Sequence, residues 1–109
     1  MILRSIALDN ETNTDVVITI PIDPYRVTIS KIWCGYSATP TGGRITVAEY
    51  SAADELERVV FTLPIVTGGP HEFEFSNPPA GLPFDGKSKV VITLAAGGSG
   101  IRGDLIVMR

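Results

Sequence analysis

Few side chains in this 109-residue chain can do covalent or acid–base chemistry, and their spacing limits what they can do. There is one histidine, His71, and one cysteine, Cys34. A catalytic Cys–His pair needs the imidazole beside the thiol and a third group to orient it. Cys34 lies in an alternating run next to Trp33, the setting of a small buried hydrophobe. His71 follows Gly69-Pro70 at the start of a short run, the setting of a turn or surface residue. Metal binding would need convergent ligands. His71, Glu72 and Glu74 are close in sequence, but on a strand the two glutamates share a face and the histidine points the other way. The spacing matches no zinc or calcium signature. Asp54, Glu55 and Glu57 could supply the carboxylate pair of a glycoside hydrolase, yet they fall in a short polar segment that reads as solvated surface. Gly97-Gly98-Ser99-Gly100 lacks the Lys-Ser/Thr and helix of a phosphate loop. Arg102-Gly103-Asp104 spells an integrin-type tripeptide, but it lies inside a strand-like run rather than at a loop tip. Gly103 there reads as a bulge or a close backbone approach. No enzyme activity, cofactor or metal is expected.

Binding chemistry has more candidates. Tyr25, Trp33, Tyr36 and Tyr50 could stack on a sugar or anchor a protein interface. Trp33 and Tyr36 are three apart on a strand and therefore point to opposite faces, so that strand alone makes no continuous platform. The segment Pro78-Pro79-Ala80-Gly81-Leu82-Pro83-Phe84 places two large apolar side chains outside any expected strand. Either they tuck over one end of the core or they form an apolar contact patch. Tyr25, Leu82 and Phe84 are the expected protein-contact residues.

The elements that must position these groups follow from composition. The chain has 12 Ile, 10 Val and 10 Thr, together with 11 Gly and 8 Pro. β-Branched residues favour strands, while Gly and Pro favour tight turns. Hydrophobic residues make up 44% of the chain, too many for disorder. The balance of 9 basic against 12 acidic residues argues against a general grip on nucleic acid. No apolar run approaches the roughly 20 residues of a membrane-spanning helix. One cysteine permits no internal disulfide, and Met1-Ile2-Leu3-Arg4-Ser5-Ile6 does not read as a secretory signal, so synthesis in a cytoplasmic setting is expected.

Period-two alternation marks strands over Ile2–Leu8, Val16–Ile22, Arg26–Tyr36, Arg44–Tyr50, Arg58–Val66, His71–Phe75, Lys89–Ala95 and Ile101–Met108. Lys89–Ala95 is nearly all apolar and should be central. Ser51–Glu57 could form one or two helical turns capped by Ser51, Asn77–Lys87 reads as a long loop, and 96–100 as a hairpin loop. The sum is one all-β domain spanning 1–109, a single antiparallel β-sandwich of about eight strands, jelly-roll-like because its loops are unequal.

The closing segment Lys89–Val107, together with the Phe73-Glu74-Phe75 strand and the Pro-rich loop that precede it, resembles the small β-sandwich decoration, or cement, proteins of tailed bacteriophage heads and related short head-fibre modules. The resemblance implies a structural virion protein made in the host cytoplasm, often a homotrimer, seated on the capsid surface and bridging subunits of the major capsid protein. No flexible terminal arm is apparent, which departs from cement proteins that clamp by an arm. The alternative is a carbohydrate- or protein-binding β-sandwich module of a tail fibre or bacterial surface protein.

Overall fold

The computed structural model describes residues 4–8, 13–22, 27–75 and 82–109. They form ten strands: β1 (Arg4–Leu8), β2 (Val16–Ile20), β3 (Val27–Ile29), β4 (Lys31–Tyr36), β5 (Arg44–Tyr50), β6 (Leu56–Pro64), β7 (Gly69–Glu74), β8 (Leu82–Phe84), β9 (Lys89–Leu94) and β10 (Gly103–Met108). The first sheet has the order β1-β10-β4-β7 and the second β2-β9-β5-β6, with β3 and β8 pairing as a short ribbon. All pairings are antiparallel. With the ribbon set aside and the other strands counted in chain order, the sheets read 1-8-3-6 and 2-7-4-5. That is the strand order of a jelly roll, as the unequal loops suggested. β9 is an interior strand, as its apolar run predicts.

Alternation builds the core between the sheets. Ile32, Cys34, Tyr36, Leu105 and Val107 point inward from the first sheet, and Val16, Ile18, Ile20, Ile45, Val47, Val90, Ile92 and Leu94 from the second. Ile29 and Phe84, from the ribbon, join the same cluster. The sheets are also tied by a polar contact. Tyr36 Oη donates to the Ala95 carbonyl at 2.6 Å and accepts from the Arg44 amide at 3.3 Å, so one first-sheet side chain holds two backbone groups of the second-sheet side. Tyr36→Phe should keep the packing and lose both bonds, at a cost of about 1–2 kcal/mol and about 4–9 °C of melting temperature. Thermal melts check this, and an unchanged midpoint would show that water replaces both partners.

Four local expectations are corrected. The run Arg26–Tyr36 is not one strand: β3 ends at Ile29 and β4 begins at Lys31. The inward residue is odd-numbered at Ile29 and even-numbered at Ile32, Cys34 and Tyr36, so the alternation slips one residue at Ser30. Ser30 is held there because its amide donates to the Met108 carbonyl at 2.9 Å and its own carbonyl accepts from the Phe75 amide at 3.1 Å. Second, 96–100 is not a hairpin loop, since β9 and β10 lie in different sheets. It arches over the end of the core, and Gly97 lies so close to the Tyr36 ring that a Cβ there would meet Cδ1 at 2.8 Å. Third, Ser51–Glu57 forms a turn rather than a helix. The Ser51 hydroxyl does act as a cap, accepting from the amides of Ala53 and Glu55, but Asp54 has φ of 62° and the chain re-enters a strand at Leu56. Fourth, Asn77–Lys87 is not wholly loop, because it contains β8. The close approach expected at Gly103 is present, where a Cβ would meet Leu94 Cδ2 at 2.9 Å.

Candidate functional site

The residues with catalytic side chains are placed for structure. Cys34 and His71 are register partners on β4 and β7. Burial nevertheless pushes the Cys34 thiol up to about 11, the opposite of the depressed value that an ion-pairing imidazole gives. His71 Nε2 instead lies 3.1 Å from the Thr67 carbonyl and 3.3 Å from Thr67 Oγ1. Glu72 and Glu74 are exposed on β7 and share one cation, with Lys31 Nζ at 3.3 and 3.6 Å from their carboxylates. Asp54 pairs with Lys89. No cluster of three or more potential metal ligands occurs among the described residues. Gly103 and Asp104 belong to β10, inside the first sheet, so Arg102-Gly103-Asp104 is not presented on a loop tip.

The three expected contact residues fare differently. Tyr25 lies outside the described residues. Leu82 is half-buried and packs against the core cluster. Phe84 is only 4% exposed. Its surface role is corrected to a core role, because β8 pairs with β3 and turns Phe84 inward beside the core.

The surface that stands out is the outer face of the second sheet. Directly opposed residues in an antiparallel sheet share a face. Val17 stands opposite Thr93, Thr93 opposite Thr46, and Thr46 opposite Thr62. In the next row Thr19 stands opposite Val91, Val91 opposite Ala48, and Ala48 opposite Val59. Thr46 Oγ1 and Thr62 Oγ1 are hydrogen-bonded at 3.2 Å, as neighbours on one face must be. Tyr50 and Leu56 are opposed at one end of these rows. Neither four-strand row carries a charge. The charges lie at the ends: Arg44 donates to Thr62 Oγ1 at 2.9 Å, and Lys89 is held by Asp54. Val17, Val59 and Leu56 are 48%, 50% and 57% exposed. The first sheet's outer face, by contrast, carries Lys31, Glu72 and Glu74.

Two of the four sheet edges, β6 and β7, are guarded. β6 is the longest strand and an edge of the second sheet, but its register against β5 shifts twice, between Val47 and Ala48 and between Glu49 and Tyr50. It ends at Pro64 and carries Glu57 and Arg58. β7, at the edge of the first sheet, carries Pro70, Glu72 and Glu74. Bulges, prolines and charges are the devices that prevent strand addition. Neither row of the face holds a proline or a charge, and the shift between Val47 and Ala48 falls between the two rows. Sequence reasoning missed this site because the outward residues of β2, β5, β6 and β9 become rows only once strand order is known.

A cleft of about 380 Å³ lies elsewhere, lined by Glu49, Arg58, Pro83, Phe84 and Asp85. Arg58 Nε donates to Glu49 Oε2 at 2.9 Å and Nη2 to Oε1 at 3.2 Å. This pairing raises the Arg58 guanidinium above its ordinary value.

No protein-family model matches the chain, and no curated protein sequence matches it. Solved structures share its fold at low identity. The chitosan-binding module 1 from a chitosanase/glucanase of Paenibacillus sp. IK-5 aligns at TM-score 0.50 and 13% identity, over 97% of this chain and 75% of that one. The Drosophila NLP core, studied for pentamer formation and histone binding, aligns at TM-score 0.50 and 16% identity, over 99% and 94%. The SPBc2 prophage-derived protein YomS aligns at TM-score 0.47 and 12% identity, over 100% and 96%. These are a carbohydrate-binding module, an assembly-forming core and a prophage protein. At such identities the likeness concerns the β-sandwich fold.

Proposed function

We propose that this protein is a non-enzymatic structural subunit that docks through the outer face of its second sheet onto other protein subunits of a repetitive assembly. The assembly its sequence pattern favours is a tailed-phage head, where each copy would bridge neighbouring major capsid protein subunits on the outer surface. The observation that supports docking is the pair of uncharged, part-apolar rows across β2, β9, β5 and β6. Binding that favours the assembled shell over its separated parts stabilises the shell by linkage, and repetition on a lattice, or a trimer of this chain, adds avidity.

The test is co-sedimentation of the purified protein with heads built from the major capsid protein of the same genome. Wild type should bind and raise the temperature at which heads rupture. Val91→Glu puts a charge at the centre of the face and should weaken binding at least about tenfold, with the free protein still folded, as a thermal melt checks, because Val91 points away from the core between the sheets. Glu72→Gln, on the other sheet, should bind as wild type does. Full binding by Val91→Glu would remove the face from the mechanism, and no binding by wild type would remove the capsid.

A further inference from the structure

The cleft shares no residue with the two rows of the docking face, and its chemistry is specific. Arg58 and Glu49 form a fork-to-fork pair that fixes both groups before any ligand arrives. The Glu49 side chain is only 13% exposed, so its position is set by the sheet as well as by Arg58. Of the five guanidinium N–H groups, two engage Glu49, and the Arg58 side chain is 61% exposed. Asp85 adds a second carboxylate, whose Oδ1 accepts the Lys87 amide at 2.9 Å and so holds the side chain in a turn. Exposed Pro83 and buried Phe84 supply the apolar part of the lining.

We propose that this cleft binds an uncharged saccharide ring. A pyranose offers adjacent hydroxyls that both donate and accept, and an aliphatic C–H face. Hydroxyls accepting from Arg58 and donating to Glu49 and Asp85 would satisfy the polar groups, while the C–H face lies against the Pro83 ring. The volume falls near the lower end of the range of about 300–1,000 Å³ for small-molecule sites, which suits one ring and part of a neighbour. Two carboxylates face one guanidinium already neutralised by Glu49. Anionic ligands, such as uronic acids, sialic acid or phosphate, are therefore disfavoured.

The test is a two-dimensional amide NMR titration of the full chain with glucose, galactose and N-acetylglucosamine, and separately with glucuronate, sialic acid and inorganic phosphate. At least one neutral sugar should give saturable shifts at Glu49, Arg58 and Asp85, and the anions should give none there. Arg58→Met and Asp85→Asn should each weaken binding about tenfold or more. Asparagine keeps the acceptor that holds the turn, so loss in that variant is not loss of fold. Val91→Glu should bind sugar as wild type does, which separates this site from the docking face. Absence of saturable shifts with every neutral sugar, shifts confined to other residues, or equal response to the anions would each overturn the proposal.

Discussion

Replacing Ile92 by alanine should cost about 3–4 kcal/mol of folding stability, within the range for large-to-small core substitutions. Ile92 is fully buried on the interior strand β9, opposite Ile18 on β2 and Val47 on β5. These neighbours are β-branched and stiff about χ1, and their backbones are fixed by sheet hydrogen bonds. The hole left by the lost carbons would therefore not close. For a chain of this length the melting temperature should fall by about 10–20 °C. Val17→Ala, also on the second sheet but facing outward at 48% exposure, should cost less than about 0.5 kcal/mol. Urea unfolding of the two variants measures the contrast. A loss below about 1 kcal/mol for Ile92→Ala would mean that the two sheets slide together to fill the site.

Strand β9 shows what a sequence of this kind reveals and what it withholds. That Lys89–Ala95 is an interior strand is legible, because its run is nearly all apolar; which of Val91 and Ile92 faces inward is not, because both are apolar. That Val91 meets Ala48 and Thr93 meets Thr46 is a property of strand order, and period-two patterns are silent about partners. The Gly97-Gly98-Ser99-Gly100 loop shows the gap. Gly98 and Gly100 both take positive φ, a demand that a hairpin and an arch between sheets share. What separates the two is the fit of Gly97 against the Tyr36 ring, a contact across some sixty residues of chain. The break at Ser30 was hidden for a similar reason. Its cause is a pair of backbone bonds to Met108 and Phe75, neither of which lies nearby in sequence. Phe84 was misplaced because Leu82-Pro83-Phe84 holds a proline, which argues against a strand, yet Pro83 sits in a two-strand ribbon. The outer face proposed for docking and the cleft were both beyond reach for one reason: each is assembled from residues on several strands, and neither contains a motif.

Alkaline pH should destabilise the protein, with Cys34 supplying a measurable part of the loss. In the folded state burial raises the thiol from an ordinary 9.0 to about 11. The unfolded chain exposes it and restores the ordinary value. Between those two pH values the unfolded state has released the proton and the folded state still holds it. The unfolded state then binds fewer protons, so the stability of the fold decreases as pH rises. Below about pH 8 both states keep the proton and the thiol contributes no pH dependence. By pH 11 the accumulated loss approaches about 2–3 kcal/mol, the equivalent of the two-unit difference. Cys34→Ala removes this contribution. Its stability at neutral pH should be modestly lower for the lost packing, but its decline from pH 8 to 11 should be shallower than that of wild type. The remainder includes Tyr36, whose phenol is also raised, first by burial, and which titrates in the same direction. Urea unfolding midpoints measured at a series of pH values give both slopes, and native-state thiol labelling at pH 8 should be slow until denaturant is added. Parallel slopes for wild type and Cys34→Ala, or rapid labelling of the native thiol, would show that Cys34 reaches solvent and that the core between β4 and β10 opens more readily than its packing implies.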